Sequence, residues 1–162
     1  IPAPAMLGWA VDGRTGLALL VTELIADAER VDLWIAAQGL TEDLIGRLAG
    51  FVRRMHDAGV GHDDLSLRNL LVGRRGGGLS LWILDYEDTE FRKAMSRRRR
   101  LRDLHHLHER ALALSGVEDR LLFLRHYLGD AGDVARWAED LRASLRRHPS
   151  KYSRACSPEG EK

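Results

Sequence analysis

The chain has 162 residues, 44% apolar and 30% charged, which suffices for one globular domain with a hydrophobic core. Its 25 basic residues nearly balance its 24 acidic ones, so a net charge of +1 offers no global field for nucleic acid. A lone cysteine, Cys156, excludes an internal disulfide or a Cys-rich zinc site, and no apolar run approaches the ~20 residues of a membrane span. No secretory signal is visible, and the reducing cytoplasm is the expected compartment. The first residue is Ile1 rather than Met, so a piece of something longer is expected.

Residues 17–25, LALLVTELI, follow the turn-like Asp12-Gly13-Arg14 and read as a buried strand. A short helix is expected over 31–38. Leu44, Ile45, Leu48, Phe51, Val52 and Met55 then recur at helical spacing and predict a helix over 42–58. Thr41 suits its N-cap, Glu42 and Asp43 its first turn, and Gly59 its stop. LLVG and LSLWILD flank RRGGG, which predicts a hairpin over 70–73 and 79–84. Three helices are expected at 97–114, 118–128 and 131–147, separated by Gly116 and Gly129. Pro149 and the polar stretch 148–162 read as a frayed tail.

Between the 42–58 helix and the hairpin lies GHDDLSLRNLLV, residues 61–72. Its Asp64 and Asn69 are five apart, with Leu65 and Leu67 between them as inward anchors. The returning strand of the hairpin delivers Asp85 beside Asn69. One carboxylate then remains as a base, while an amide oxygen and a second carboxylate face each other. Hard oxygen ligands of that kind suit Mg²⁺, which fills its remaining positions with water and phosphate oxygens. A base beside a magnesium site is the apparatus of phosphoryl transfer, where positioning and charge neutralisation dominate catalysis.

HDDLSLRN resembles the protein-kinase catalytic loop H-R-D-L-x-x-x-N, and LDYED stands where kinases carry D-F-G. LVTELI is similar to the strand and hinge that hold adenine, and RLAGFVRRMHDAGVGHDDL to the helix entering the catalytic loop. WILDYEDTEFRKAMSRRRRLRDLHHLHERAL and RLLFLRHYLG resemble the lipopolysaccharide kinase family, which includes Kdo and heptose kinases of the lipopolysaccharide core. The kinase-like resemblance covers about residues 5–147. It implies an α+β, protein-kinase-like fold: a mainly helical large lobe with a catalytic-loop hairpin and a remnant of the small-lobe sheet. Residues 1–30 would end the small lobe and hinge, 31–147 would form the large lobe, and 148–162 the tail.

The resemblance also implies roles. Asp64 is the catalytic base, His62 braces the loop, and Arg68 reaches the transferred phosphate or the acceptor. Asn69 and Asp85 hold Mg²⁺. Glu23 and Ile25 present backbone groups to the adenine of ATP, with Thr22 behind them as gatekeeper. Asp103 corresponds to the buried helix aspartate that bonds the loop backbone. The implied partners are ATP and a lipopolysaccharide-core sugar, in the cytoplasm at the inner membrane. The oligomeric state is not set.

Several positions depart from the kinase pattern. Asp63 replaces the usual Arg, so the link to a phosphorylated activation loop is absent. Ser66 replaces a phosphate-contacting Lys, and Glu87 the Gly of D-F-G. Seventeen residues separate Asp85 from Asp103, too few for a peptide platform, which favours a small or glycan acceptor. No Lys precedes Lys93 and no Gly-rich loop precedes LVTELI, so a fragment beginning within the small lobe is expected. The alternatives are a truncated pseudokinase or binding module, and a small-molecule kinase of aminoglycoside or choline type.

Outside the loop, Arg97–Arg100 and Arg102 read as a solvated helix face or as a patch for sugar phosphates or an anionic membrane surface. His105, His106 and His108 read as surface or packing residues. Trp34, Trp82 and Trp137 read as core or interface. Glu87 and Asp88 read as solvated acids or an additional metal ligand.

Overall fold

A computed structural model describes residues 1–85, 89–111, 113–130 and 132–147. The tail 148–162, with Cys156, and Glu87 and Asp88 lie outside the described residues. The fold is α+β, with five helices and seven short strands in three small antiparallel sheets among the described residues.

Strands β1 (Met6–Val11) and β2 (Ala18–Thr22) form a two-stranded hairpin, with Met6 opposite Thr22 and Val11 opposite Ala18. Asp12 builds its turn, accepting the N–H groups of Arg14 and Thr15 at 2.8 and 3.1 Å. β2 was expected to be buried and is not. Leu19, Leu20 and Val21 are exposed, as are Leu7, Trp9 and Val11 across the hairpin. A two-stranded sheet that packs on nothing leaves both faces wet, however apolar its residues.

The main core begins after this hairpin. β3 (Ala28–Arg30) leads into helix α1 (Val31–Gln38), which buries Val31 and Ile35. Helix α2 (Glu42–Asp57) closely follows its predicted span. Thr41 caps it, its hydroxyl accepting the Leu44 N–H at 3.3 Å. All six residues of the predicted apolar stripe are buried, and α2 packs on helix α4 (Val117–Leu128) and strand β6 (Gly78–Ile83). Each such side chain contributes about 1.5–3 kcal/mol by leaving water.

At the end of α2 the chain must turn sharply. Gly59 sits at φ 77°, and a Cβ there would stand 1.8 Å from the Arg92 carbonyl oxygen. Only glycine allows that approach. It lets β4 (Val60–His62) pair with β7 (Thr89–Phe91), His62 opposite Thr89. After β4 come the polar loop, a 3-10 turn over Leu67–Asn69, and the long hairpin of β5 (Leu70–Arg75) and β6 (Gly78–Ile83). Gly76 and Gly77 make its turn at φ 59° and 82°, the left-handed pair that matches the twist of hairpin strands. β3 adds to the other edge of β5, tying residues 28–30 to the hairpin that carries the loop.

Helices α3 (Arg97–Ala111), α4 (Val117–Leu128) and α5 (Val134–Arg147) close the fold. α3 and α4 add Leu104, Leu107, Phe123, Leu124 and Tyr127 to the core, α5 Ala138 and Leu141. His108 is buried edge-on against Phe123, and desolvation holds it neutral by pushing its pKa down to about 4. Trp82 is buried, while Trp137 packs on Tyr127 with the Arg97 guanidinium over its ring. Among the described residues no helix is long and apolar enough to cross a membrane.

Candidate active site

The polar loop runs from the end of β4 to the start of β5. Its leucines pin it: Leu65 is fully buried and Leu67 nearly so. The 3-10 turn closes through the Asn69 N–H, which donates to the Ser66 carbonyl at 3.0 Å. Asp63 and Arg68 are exposed, while Asp64 and Asn69 are half-buried.

His62 lies wholly inside. Its backbone N–H donates to Asp103 Oδ2 at 3.0 Å, and its Nδ1 accepts the Asp64 N–H at 3.2 Å. Its Nε2 lies 3.4 Å from the Leu84 carbonyl, on the return side of the hairpin. One imidazole thus joins the backbone at Asp64 to the backbone beside Asp85. Asp103, from α3, is the anchor beneath. Its carboxylate also stands 3.3 Å from His56 Nε2 and 3.3 Å from Arg99 Nε. His56 Nδ1 hydrogen-bonds the Tyr127 hydroxyl at 2.7 Å. Burial raises the Tyr127 pKa to about 12, against an opposing pull from Arg100, so its hydroxyl keeps its proton at neutral pH.

The Asp64 carboxylate sits above this frame. Asn69 Nδ2 donates to the Asp64 carbonyl at 3.0 Å and to its Oδ2 at 3.3 Å. Oδ1 meets Arg110 of α3, 2.7 Å away. The Asn69 side chain therefore spends its donor on Asp64 and keeps its amide oxygen as an acceptor. On the next strand the Leu84 N–H donates to the Asn69 carbonyl at 2.8 Å, so Asp85 directly follows the residue paired with Asn69. Asp85 is exposed and holds φ 60°. That left-handed conformation is uncommon outside glycine and tolerated by Asp. The donor types suit magnesium: an amide oxygen and a carboxylate, both hard, on neighbouring positions of the hairpin.

Other predicted residues are less closely joined. Arg68 turns to Asp32 at 3.9 Å. Ser66 is buried, with its hydroxyl unpartnered among the described residues, and so does not face a substrate. Thr22 and Glu23 are exposed at the end of β2. The Glu23 N–H donates to the Ala5 carbonyl at 2.7 Å, while the Glu23 carbonyl and the Ile25 N–H have no backbone partner among the described residues.

Among the described residues the arginine run, read as a solvated helix face or as a patch for anionic groups, turns four of its five arginines to acids of its own chain. Arg97 pairs with Asp140 at 2.5 Å and Arg100 with Asp57 at 2.9 Å. Arg99 meets Asp63, Glu90 and Asp103, and Arg102 also meets Asp63. The physical reason is the start of α3. Four cations in a first helical turn repel one another and oppose the helix dipole, and the converging acids offset both. Asp63, which breaks the kinase pattern in sequence, is one of those acids.

Arg110 was missed from the sequence. The signal was present: it lies seven residues, two helical turns, after Asp103 and thus on the same face of α3. Nothing in the spacing of the loop itself announces it.

A family model described as the lipopolysaccharide kinase (Kdo/WaaP) family matches residues 1–127. The chain belongs to that family. It is 28% identical over 87 residues to the 3-deoxy-D-manno-octulosonic acid kinase of Vibrio parahaemolyticus serotype O3:K6, covering 54% of this chain and 35% of that protein. The kinase of the same name from Haemophilus influenzae strain PittEE is 25% identical over 91 residues, 54% of this chain and 38% of that one. The match therefore spans little more than a third of those family members. The solved structure of WaaP in complex with acyl carrier protein superposes with a TM-score of 0.73 at 22% identity, over 97% of this chain and 70% of that one. The kinase-like fold expected from the loop is thus the fold of the family.

Proposed function

We propose that this chain carries the phosphoryl-transfer centre of a Mg-ATP-dependent kinase, acting on a hydroxyl of an acidic sugar in the lipopolysaccharide core. The observation that carries the reading is Asp64. Its backbone is tied to His62 and the Asp103 anchor, and its carboxylate stands at the edge of the loop beside the Asn69–Asp85 pair. The acidic sugar is suggested by the relatives' acceptor, 3-deoxy-D-manno-octulosonic acid.

In this reading Asp64 orients the acceptor hydroxyl toward the γ-phosphorus. The hydroxyl oxygen forms a new bond to phosphorus as the bond to the bridging oxygen breaks. ADP leaves with that electron pair, and the hydroxyl proton passes to the Asp64 carboxylate. Asn69 and Asp85 would hold Mg²⁺, which supplies neutralisation of phosphate charge when bound. The Glu23 carbonyl and Ile25 N–H would pair with the adenine edge, with Thr22 behind them. The need for ATP puts the reaction on the cytoplasmic side of the inner membrane.

The test is steady-state transfer from ATP to a deacylated core saccharide. The Asp64→Asn variant is expected to lose about 10²–10⁴-fold in kcat with its circular dichroism unchanged. Unaltered turnover in that variant would remove Asp64 as the base.

A further inference from the structure

We propose that Arg110 reads the acid of the acceptor: its guanidinium takes the sugar carboxylate and places the neighbouring hydroxyl on Asp64. This rests on the transferase reading of Asp64 and names the group that would make the site selective for a sugar acid.

An acceptor bearing a carboxylate must approach Asp64, itself a carboxylate, near Asp85 and the nucleotide phosphates. Like charges in contact at a partly buried site repel strongly. Such an acceptor therefore requires a cation beside the base. Among the described residues no cation of the loop itself touches Asp64. Ser66 is buried, and Arg68 is turned to Asp32. The cation in contact with Asp64 comes from α3 instead, with Arg110 2.7 Å from Oδ1.

The root of that side chain is held in place by the helix. Two turns earlier on the same helix, Asp103 holds the backbone of His62 at 3.0 Å, and Leu104 and Leu107 between them are buried. Loop and helix are thus one rigid unit, and the root of Arg110 cannot drift from Asp64. Its tip can. The Arg110 side chain is 30% exposed and that of Asp64 35%, so the pair sits at a wet edge where an ion pair adds little stability. A planar guanidinium exchanges one carboxylate for another with the same geometry. An acid acceptor that draws Arg110 to itself would also release Asp64 Oδ1 for the hydroxyl proton. A neutral sugar would do neither.

The experiment compares two probes on the full-length protein, without nucleotide: the methyl glycoside of 3-deoxy-D-manno-octulosonic acid and the methyl ester of that glycoside. Binding is read by calorimetry for the wild type, Arg110→Gln, Arg110→Lys and Asp64→Asn. Both Arg110 variants leave the buried face of α3 intact. The wild type is expected to prefer the acid by about tenfold or more, Arg110→Gln to lose that preference, and Arg110→Lys to keep part of it. In turnover, Arg110→Gln is expected to raise the acceptor KM about tenfold with kcat within about threefold. Equal binding of acid and ester by the wild type, or binding of neither, would overturn the proposal. So would an unchanged preference in Arg110→Gln, or a fall in kcat alone, which would put Arg110 on the transferring phosphoryl group. A preference that depends on Arg110, in a protein that transfers no phosphate, would keep the carboxylate site and remove the kinase reading.

Discussion

Asp103 anchors the loop from within the core. Its fully buried carboxylate accepts the His62 N–H and faces His56 and Arg99. Removing one partner from a buried charged cluster leaves the others desolvated and uncompensated. Asp103→Ala is therefore expected to lose about 3–5 kcal/mol in urea unfolding. Asp103→Asn, which keeps an oxygen for the His62 N–H, is expected to lose less. Equal loss in both would show that charge, not the backbone bond, is what Asp103 supplies. His108 gives a second residue-scale test, in pH. Burial lowers its pKa to about 4 from its ordinary 6.5, with Arg120 and His105 adding to the effect. Between those values the unfolded chain binds the proton and the folded chain does not. Its contribution to stability is thus complete above pH 6.5, falls as pH drops through this window, and is constant below 4, a change of roughly 3 kcal/mol. His108→Leu should flatten the urea midpoint over that range, and the wild-type imidazole should stay neutral by NMR to near pH 4.

Among the elements, the junction of α2 and β4 and the β5–β6 turn use glycine for different reasons. At Gly59 both the φ of 77° and the Arg92 carbonyl exclude a side chain, whereas Gly76 has positive φ but open space. Gly59→Ala is expected to cost roughly 2–4 kcal/mol and to loosen the β4–β7 pair, Gly76→Ala only about 1 kcal/mol. Thermal melts that reversed this order would contradict the steric account. These elements also show what could be read from the chain alone. α2 was legible end to end because its apolar stripe, cap and stop agree. The β5–β6 hairpin was legible because apolar runs bracket a glycine turn. β4 and β7 were not, since three-residue strands carry no periodicity and their pairing joins residues nearly thirty apart. The acids that meet the arginine run were not legible for the same reason. A cluster of like charge looks exposed in sequence when its acids come from four other segments of the chain. In the site, motif spacing brought out Asp64, Asn69 and Asp85, but Arg110 depends on how α3 docks, which spacing within the loop does not encode.

Across the whole molecule, burial divides the chain unevenly. Every residue of the buried core lies between Val31 and Leu141, while the β1–β2 hairpin is exposed on both faces. Opening of that hairpin breaks few apolar contacts, and opening of α2 breaks the core. Native-state hydrogen exchange should therefore find amides of residues 6–22 exchanging on the order of 10³-fold faster than those of α2. Comparable protection in both would mean that the hairpin is covered in solution. The loop belongs to the protected part through Leu65, Leu67 and His62, which suits a centre that works by positioning. In the proposed function this frame transfers a phosphoryl group to a sugar hydroxyl. The most direct measurement is ³¹P NMR of the full-length protein incubated with Mg-ATP and the deacylated core saccharide. One new phosphomonoester resonance on the saccharide, formed with ADP in equal amount and absent with Asp64→Asn, is the expected result. ADP with free phosphate alone, or an unchanged ATP spectrum, would contradict it.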